Sequence, residues 1–133
     1  MAQKTLAEKL HIKSGFTINV INPPSGYWDQ LKKSLPDNVS IEKRPDGSFD
    51  FTQLFVRNLA ELEIWAPKAI GTIQFDGLLW IAYPKKSGSI DSDLSRDVLV
   101  EQMKIHNLKA VTAISVDEDW SAIRFRPISK VGK

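Results

Sequence analysis

The sequence predicts an α/β fold: a shortened, Rossmann-like three-layer sandwich with a mostly parallel sheet and a C-terminal antiparallel hairpin. Three observations predict it. Apolar runs of strand length alternate with segments of helical periodicity from Phe16 to His106, the pattern of parallel strands joined by crossover helices. The stretch Gly77-Leu-Leu-Trp-Ile-Ala-Tyr-Pro-Lys-Lys-Ser87 runs through unbroken apolar residues to Pro84, as a central strand buried on both faces does. Residues 110–127 carry two strand-like runs separated by Asp117-Glu-Asp119, which reads as a closing hairpin.

The elements follow in order. Residues 2–10 place Leu6 and Leu10 at helical spacing, with Thr5 as N-cap before Glu8. This short helix is expected on the outside of the sheet, ended by Lys13-Ser14-Gly15. Phe16 to Ile21 is the first strand. Asn22-Pro23-Pro24-Ser25-Gly26 breaks the chain, and a helix starting at Pro24 or Ser25 runs through Tyr27, Trp28 and Leu31 to about Leu35, before Pro36. Val39 to Lys43 is a short second strand and Pro45-Asp46-Gly47-Ser48 a turn, proline presetting one backbone angle and glycine accepting a positive one. Phe49 to Val56 is the third strand.

Asn58 and Glu61 then form a capping box for a helix carrying Leu59, Leu62 and Ile64, then Ala66, Ala69, Ile70 and Ile73. Pro67 must kink this helix or open a second segment of it. Gln74 to Gly77 is a turn into the central strand. The next helix is capped by Ser92 or Ser95, presents Leu94, Val98, Leu99 and Met103, and ends at Asn107 in the left-handed region. Ala110 to Val116 and Trp120 to Pro127 form the hairpin. Its last strand puts Trp120, Ala122, Arg124 and Arg126 on one face and Ile123 and Phe125 on the other. Residues 128–133 read as a frayed tail.

A chain of 133 residues with 42% hydrophobic and 26% charged residues is expected to form one globular domain, residues 1–133. The formal net charge of +2 is too small to argue for nucleic acid, and the basic residues are scattered. The absence of cysteine excludes disulfides, thiolate metal sites and cysteine nucleophiles, and fits a reducing cytoplasm, where the chain is expected. No apolar run has the length of a membrane span, about 20 residues, and charges stand where a signal peptide needs an apolar core.

Residues 45–127 resemble the C-terminal half of a Rossmann-like methyltransferase that uses S-adenosylmethionine. The features are Pro45-Asp-Gly-Ser-Phe-Asp50 leading into a strand, the glutamate-bearing helix, the Gly77-Leu-Leu-Trp-Ile strand and the closing hairpin. Over nearly its whole length the chain also resembles a small bacterial family of unknown function. That resemblance rests on Leu6-Ala-Glu-Lys-Leu10, Leu79-Trp80 leading to Pro84-Lys85, Asp93-Leu94 and Asp119-Trp120-Ser121, and implies a compact α/β domain without an assigned reaction. The methyltransferase pattern requires a glycine-rich turn after the first strand, so that backbone approaches the cofactor closely. Here the turn is Asn22-Pro23-Pro24-Ser25-Gly26, and no cofactor is expected from it. The link between the second and third strands is also too short for a parallel crossover of a dozen or more residues. Either a strand and its helix are missing, or the two strands form a local hairpin.

Ligands of open α/β sheets bind outside the carboxyl ends of the strands. The strand ends supply Asn22, Ser25 and Tyr27; then Arg57 and Asn58; then Lys85, Lys86 and Ser87. Ser92 and Arg96 stand near the start of the following helix. Lysines, a small Ser-Gly loop and a helix N-terminus suit a phosphate or carboxylate, although loop lysines and first-turn Asp91 and Asp93 are also ordinary surface features. His11 and His106 lack partners at metal-ligand spacing. Asp117, Glu118 and Asp119 read as a solvated turn before a metal site, and Trp120 with Arg124 and Arg126 as a charged edge strand before a nucleic-acid surface. No nucleophile, base and oxyanion donor can be assembled. The expected function is therefore a non-catalytic binding or regulatory domain, monomeric or weakly dimeric, holding a small anion or a protein partner at the strand ends. The alternative is a divergent methyltransferase-like enzyme with an altered cofactor mode.

Overall fold

The computed structural model describes residues 4–41 and 48–131. A six-stranded sheet forms the middle layer, in the order β2-β1-β3-β4-β6-β5. The strands are β1 (Thr17–Ile21), β2 (Ser40–Ile41), β3 (Phe49–Phe55), β4 (Ile73–Pro84), β5 (Leu108–Ser115) and β6 (Trp120–Pro127). β1 to β4 are mutually parallel, whereas β6 runs antiparallel to both β4 and β5. Among the described residues no helix is long and apolar enough to cross a membrane.

Two cores result. On one face α1 (Leu6–Lys9) and α2 (Tyr27–Lys32) pack with Phe51, Phe55, Trp80, Ala82 and Trp120; on the other α3 (Leu59–Thr72) and α4 (Arg96–Lys104) cover Leu54, Leu79, Ile81, Ile123 and Phe125. Alternation along the strands divides them, since successive residues point to opposite faces. Trp80 is fully buried in the middle of β4, and its indole N–H donates to Leu10 O at 3.1 Å. This bond fastens the end of α1 to the central strand.

Several boundaries differ from the expectations. α1 is shorter than residues 2–10, although Thr5 and Glu8 form the anticipated reciprocal cap. α2 starts at Tyr27, because Gly26 takes a left-handed conformation (φ +83°) and acts as N-cap. α3 is continuous with Pro67 inside it. Ser95 caps α4 by accepting from Val98 N, whereas Ser92 donates to Arg57 O at 2.6 Å. Ala110 and Thr112 pair across a register shift at Val111, so Val111 leaves the alternation predicted for it. Residues Ile128–Lys130 form a 3-10 turn, and Ile128 N donates to Asn107 O at 3.0 Å.

The second and third strands form no hairpin with each other. β1 lies between them and pairs with both in parallel. Ser40 and Ile41 of β2 pair with the start of β1, and the last two residues of the predicted second strand, 42–43, lie outside the described residues. The predicted Pro45-Asp46-Gly47 turn lies outside the described residues. Residues Gln74 to Gly77, expected as a turn, belong to β4 but bulge from it, since Phe49 pairs with Ile73 and Phe51 already with Leu78. Asp76 there has φ +59°.

Candidate ligand clefts at the strand ends

The strand order reverses between β1 and β3. From β1 the chain crosses to β2 on one side, while β3 lies on the other. Loops leaving such a point diverge and open a crevice. The structure has a cleft of about 350 Å³ here, lined by Asn22 and Pro23 after β1, Phe55 and Arg57 after β3, Glu61 and Trp65 of α3, and Trp120 of β6. Its floor is an aromatic chain. Phe55 meets Tyr27 edge-on at 4.7 Å and Trp120 at 5.1 Å.

The rim is held by hydrogen bonds at the start of α3. Asn58 Oδ1 accepts from Glu61 N (2.9 Å), Glu61 Oε1 accepts from Arg57 N (2.8 Å), and Asp93 Oδ1 accepts from Leu59 N (2.8 Å). These bonds occupy donors that a helix N-terminus otherwise offers to an anion. The Arg57 guanidinium is exposed and has no side-chain partner among the described residues. It is therefore the cleft's available cation.

A second pocket of about 200 Å³ adjoins through Trp120 and includes Ser25, Gly26, Tyr27, Gln30, Asp117 and Asp119. Tyr27 contributes its ring only. Its hydroxyl donates to the buried Gln53 Oε1, and burial pushes the phenol pKa well above its ordinary value. The opposite turn is internally fixed, because Asp117 Oδ1 accepts from Asp119 N and Trp120 N.

The basic residues form a third site of about 500 Å³, bringing together Tyr83, Lys85, Lys86, Ser87 and Arg96. Lys85 Nζ donates to Ser115 Oγ at 2.6 Å. The loop is strapped to the hairpin turn: Ser89 N and Oγ both donate to Asp119 Oδ1, and Lys85 N donates to Asp119 O. The Ser89 hydrogen bonds hold the Asp119 carboxyl below its ordinary pKa. The nine anticipated residues are thus distributed: Asn22 and Arg57 share the first cleft, Ser25 and Tyr27 the second, and Lys85, Lys86, Ser87 and Arg96 the third. Ser92 is used in tying the β3 loop to the chain before α4. Sequence reasoning did not include Glu61, Trp65 or Trp120 in the site. Alternation had placed Trp120 on the correct face, but its meeting with Asn22 and Arg57 depends on the insertion of β6 beside β4.

No family model and no curated protein matches the sequence. Solved structures do match in fold. A SAM-dependent methyltransferase from Aquifex aeolicus superposes with a TM-score of 0.66 at 12% identity, covering 90% of this chain and 86% of that one. A ribosomal protein L11 methylase from Lactobacillus delbrueckii subsp. bulgaricus gives 0.56 at 12% identity, covering 92% and 74%. The Burkholderia thailandensis 1,6-didemethyltoxoflavin-N1-methyltransferase gives 0.56 at 10%, also covering 92% and 74%. The chain has a methyltransferase-like fold.

The cofactor of such folds can be tested against the loop after β1. Gly26 is its one glycine, and a Cβ added there would meet nothing within 4 Å. Its φ of +83° is one that glycine adopts without strain. Pro23 lines the cleft without an N–H to donate. The loop does not fit the glycine-turn mode of holding S-adenosylmethionine.

Proposed function

We propose that this chain is a divergent methyltransferase-like protein that binds a small molecule in the cleft between β1 and β3. The observation that carries this reading is the coincidence of a polar, aromatic-floored cleft with the switch point of the sheet. The fold comparisons favour the version in which the protein is an enzyme with an altered cofactor mode. Side chains would replace the glycine turn: Arg57 suits a carboxylate, Glu61 suits hydroxyls, and Trp65 offers a ring face. When bound, S-adenosylmethionine would supply an electrophilic methyl group. Arg57 and Glu61 would orient the molecule, and the Phe55–Trp120 floor would limit water beneath it.

A second reading, a non-catalytic domain for a small anion, is favoured by the proline-bearing loop and by the Lys85, Lys86 and Arg96 cluster. Fold alone does not decide between them. Titration calorimetry with S-adenosylmethionine, S-adenosylhomocysteine and inorganic phosphate separates the two. The enzyme reading expects saturable cofactor binding, weakened at least tenfold by Arg57→Ala. Phosphate binding lost in Lys85→Ala/Arg96→Ala, with no heat from either adenosyl compound, would overturn it in favour of the anion domain. No binding of any of the three would overturn both.

A further inference from the structure

The largest of the cavities described lies far from these clefts, where β4 begins and β6 ends. It measures about 590 Å³, within the ~300–1,000 Å³ of ordinary ligand sites. Ile70, Ile73, Leu79, Leu108, Phe125 and Ile128 wall it. The bulge in β4 opens it by lifting Phe75 and Asp76 out of the sheet, which leaves Phe75 72% exposed and Ile128 49% exposed at the mouth. Large side chains left in water around an apolar hollow mark a surface built to be covered.

The lining is mostly apolar, and among the described residues Lys130 is the cation that stands beside the mouth, next to Phe75. Asp76 is held by two bonds of 2.9 Å from Arg126 Nε and Nη2, which lower its pKa with further help from the charges of Arg124 and Lys130. Asp76 and Arg126 thus offset each other, and the side chains of Arg124 and Arg126 project to the sheet face opposite Phe125. Arg126 is committed to Asp76, while Lys130 Nζ lies over the Phe75 ring, 5.8 Å from its centroid. His106, Asn107 and Ser129 complete the polar edge.

We infer that this cavity binds a small amphipathic carboxylate, its alkyl or aryl body against the apolar wall and its head group beside Lys130 and His106. Lys130 selects the anion and the wall selects the body. This site is separate from the cleft of the proposed function and stands whether or not that reading survives.

The test uses the full chain with 8-anilinonaphthalene-1-sulfonate as fluorescent reporter and octanoate and octanol as competitors. Octanoate is expected to displace the reporter at least tenfold more effectively than octanol. Lys130→Glu should abolish that preference, leaving octanol unchanged. Ile128→Asp, at an exposed position where far-ultraviolet circular dichroism checks folding, should weaken reporter and octanoate at least tenfold. Arg57→Ala should change neither. Equal displacement by octanoate and octanol, or unchanged affinities in Ile128→Asp, would overturn the proposal. So would loss of octanoate binding in Arg57→Ala, which would place the ligand in the strand-end cleft. A dimer in light scattering that Ile128→Asp makes monomeric, without octanoate binding, would assign the cavity to a second copy of the chain and also overturn it.

Discussion

At the carboxyl ends of β1 and β3 the chain presents Asn22, Arg57 and Glu61 to a cleft of about 350 Å³, while at the start of β4 a cavity of about 590 Å³ is walled by aliphatic side chains and Phe125. The two ends of one sheet therefore offer opposite chemistry. At the carboxyl ends the loops carry polar residues whose first use is local. Asn58, Glu61, Asp93, Asp117 and Asp119 all hold backbone N–H groups in place. At the other end the hollow arises because chain is withdrawn from it. β4 bulges between Ile73 and Leu78, and β6 ends at Pro127 before the turn of Ile128–Lys130. Polar convergence made the first site, and incomplete packing made the second.

The largest expected effect comes from a change that both ends share. Trp80→Ala empties the centre of β4 and should destabilise the protein by about 3–5 kcal/mol, measured by urea unfolding. One cooperative unit requires tryptophan fluorescence, which includes Trp65 and Trp120 at the cleft, and reporter release from the far cavity to share one transition. Two separated transitions would break the comparison into two independent regions.

A smaller effect should be confined to the carboxyl end. A Cβ on Gly88 would lie 2.9 Å from Asp119 Cα, part of the backbone to which the Lys85–Ser89 loop is strapped. Gly88→Ala should therefore cost about 1–3 kcal/mol while leaving reporter affinity at the far cavity unchanged. Altered reporter binding in this variant would show the two ends to be coupled.

The smallest effect concerns pH at the opposite end. Hydrogen bonds from Arg126 lower the folded-state pKa of Asp76 below its ordinary 3.8. Its contribution is therefore present above the unfolded-state value and is lost as pH falls through the depressed folded-state value. The melting-temperature advantage of wild type over Asp76→Asn should be constant above about pH 5 and shrink below about pH 4. A gap independent of pH would dissociate the Asp76–Arg126 pair from stability.

Much of this was legible residue by residue. The Thr5–Glu8 reciprocal cap, the Asn58 cap, the left-handed Asn107 (φ 61°) and the burial of Leu79 to Ala82 are local or periodic properties. They follow from side chains acting on their own backbone or from a two-residue repeat. The separation of Trp120 and Arg124 from Ile123 and Phe125 is of the same kind. The sequence by itself thus determined the α/β class and the element order.

Tertiary structure alone decided which strand ends meet. The pairing order seats Trp120 beside Asn22 and Arg57, and sends Lys85, Lys86 and Arg96 to a pocket of their own. It also made the far cavity, joining β4, β6 and the ends of α3 and α4 through residues that the sequence marks only as apolar or as a tail. The physical reason is range. Caps and alternation are fixed within a few residues, whereas a cleft is the space left between elements whose neighbours are chosen by burial of the whole sheet.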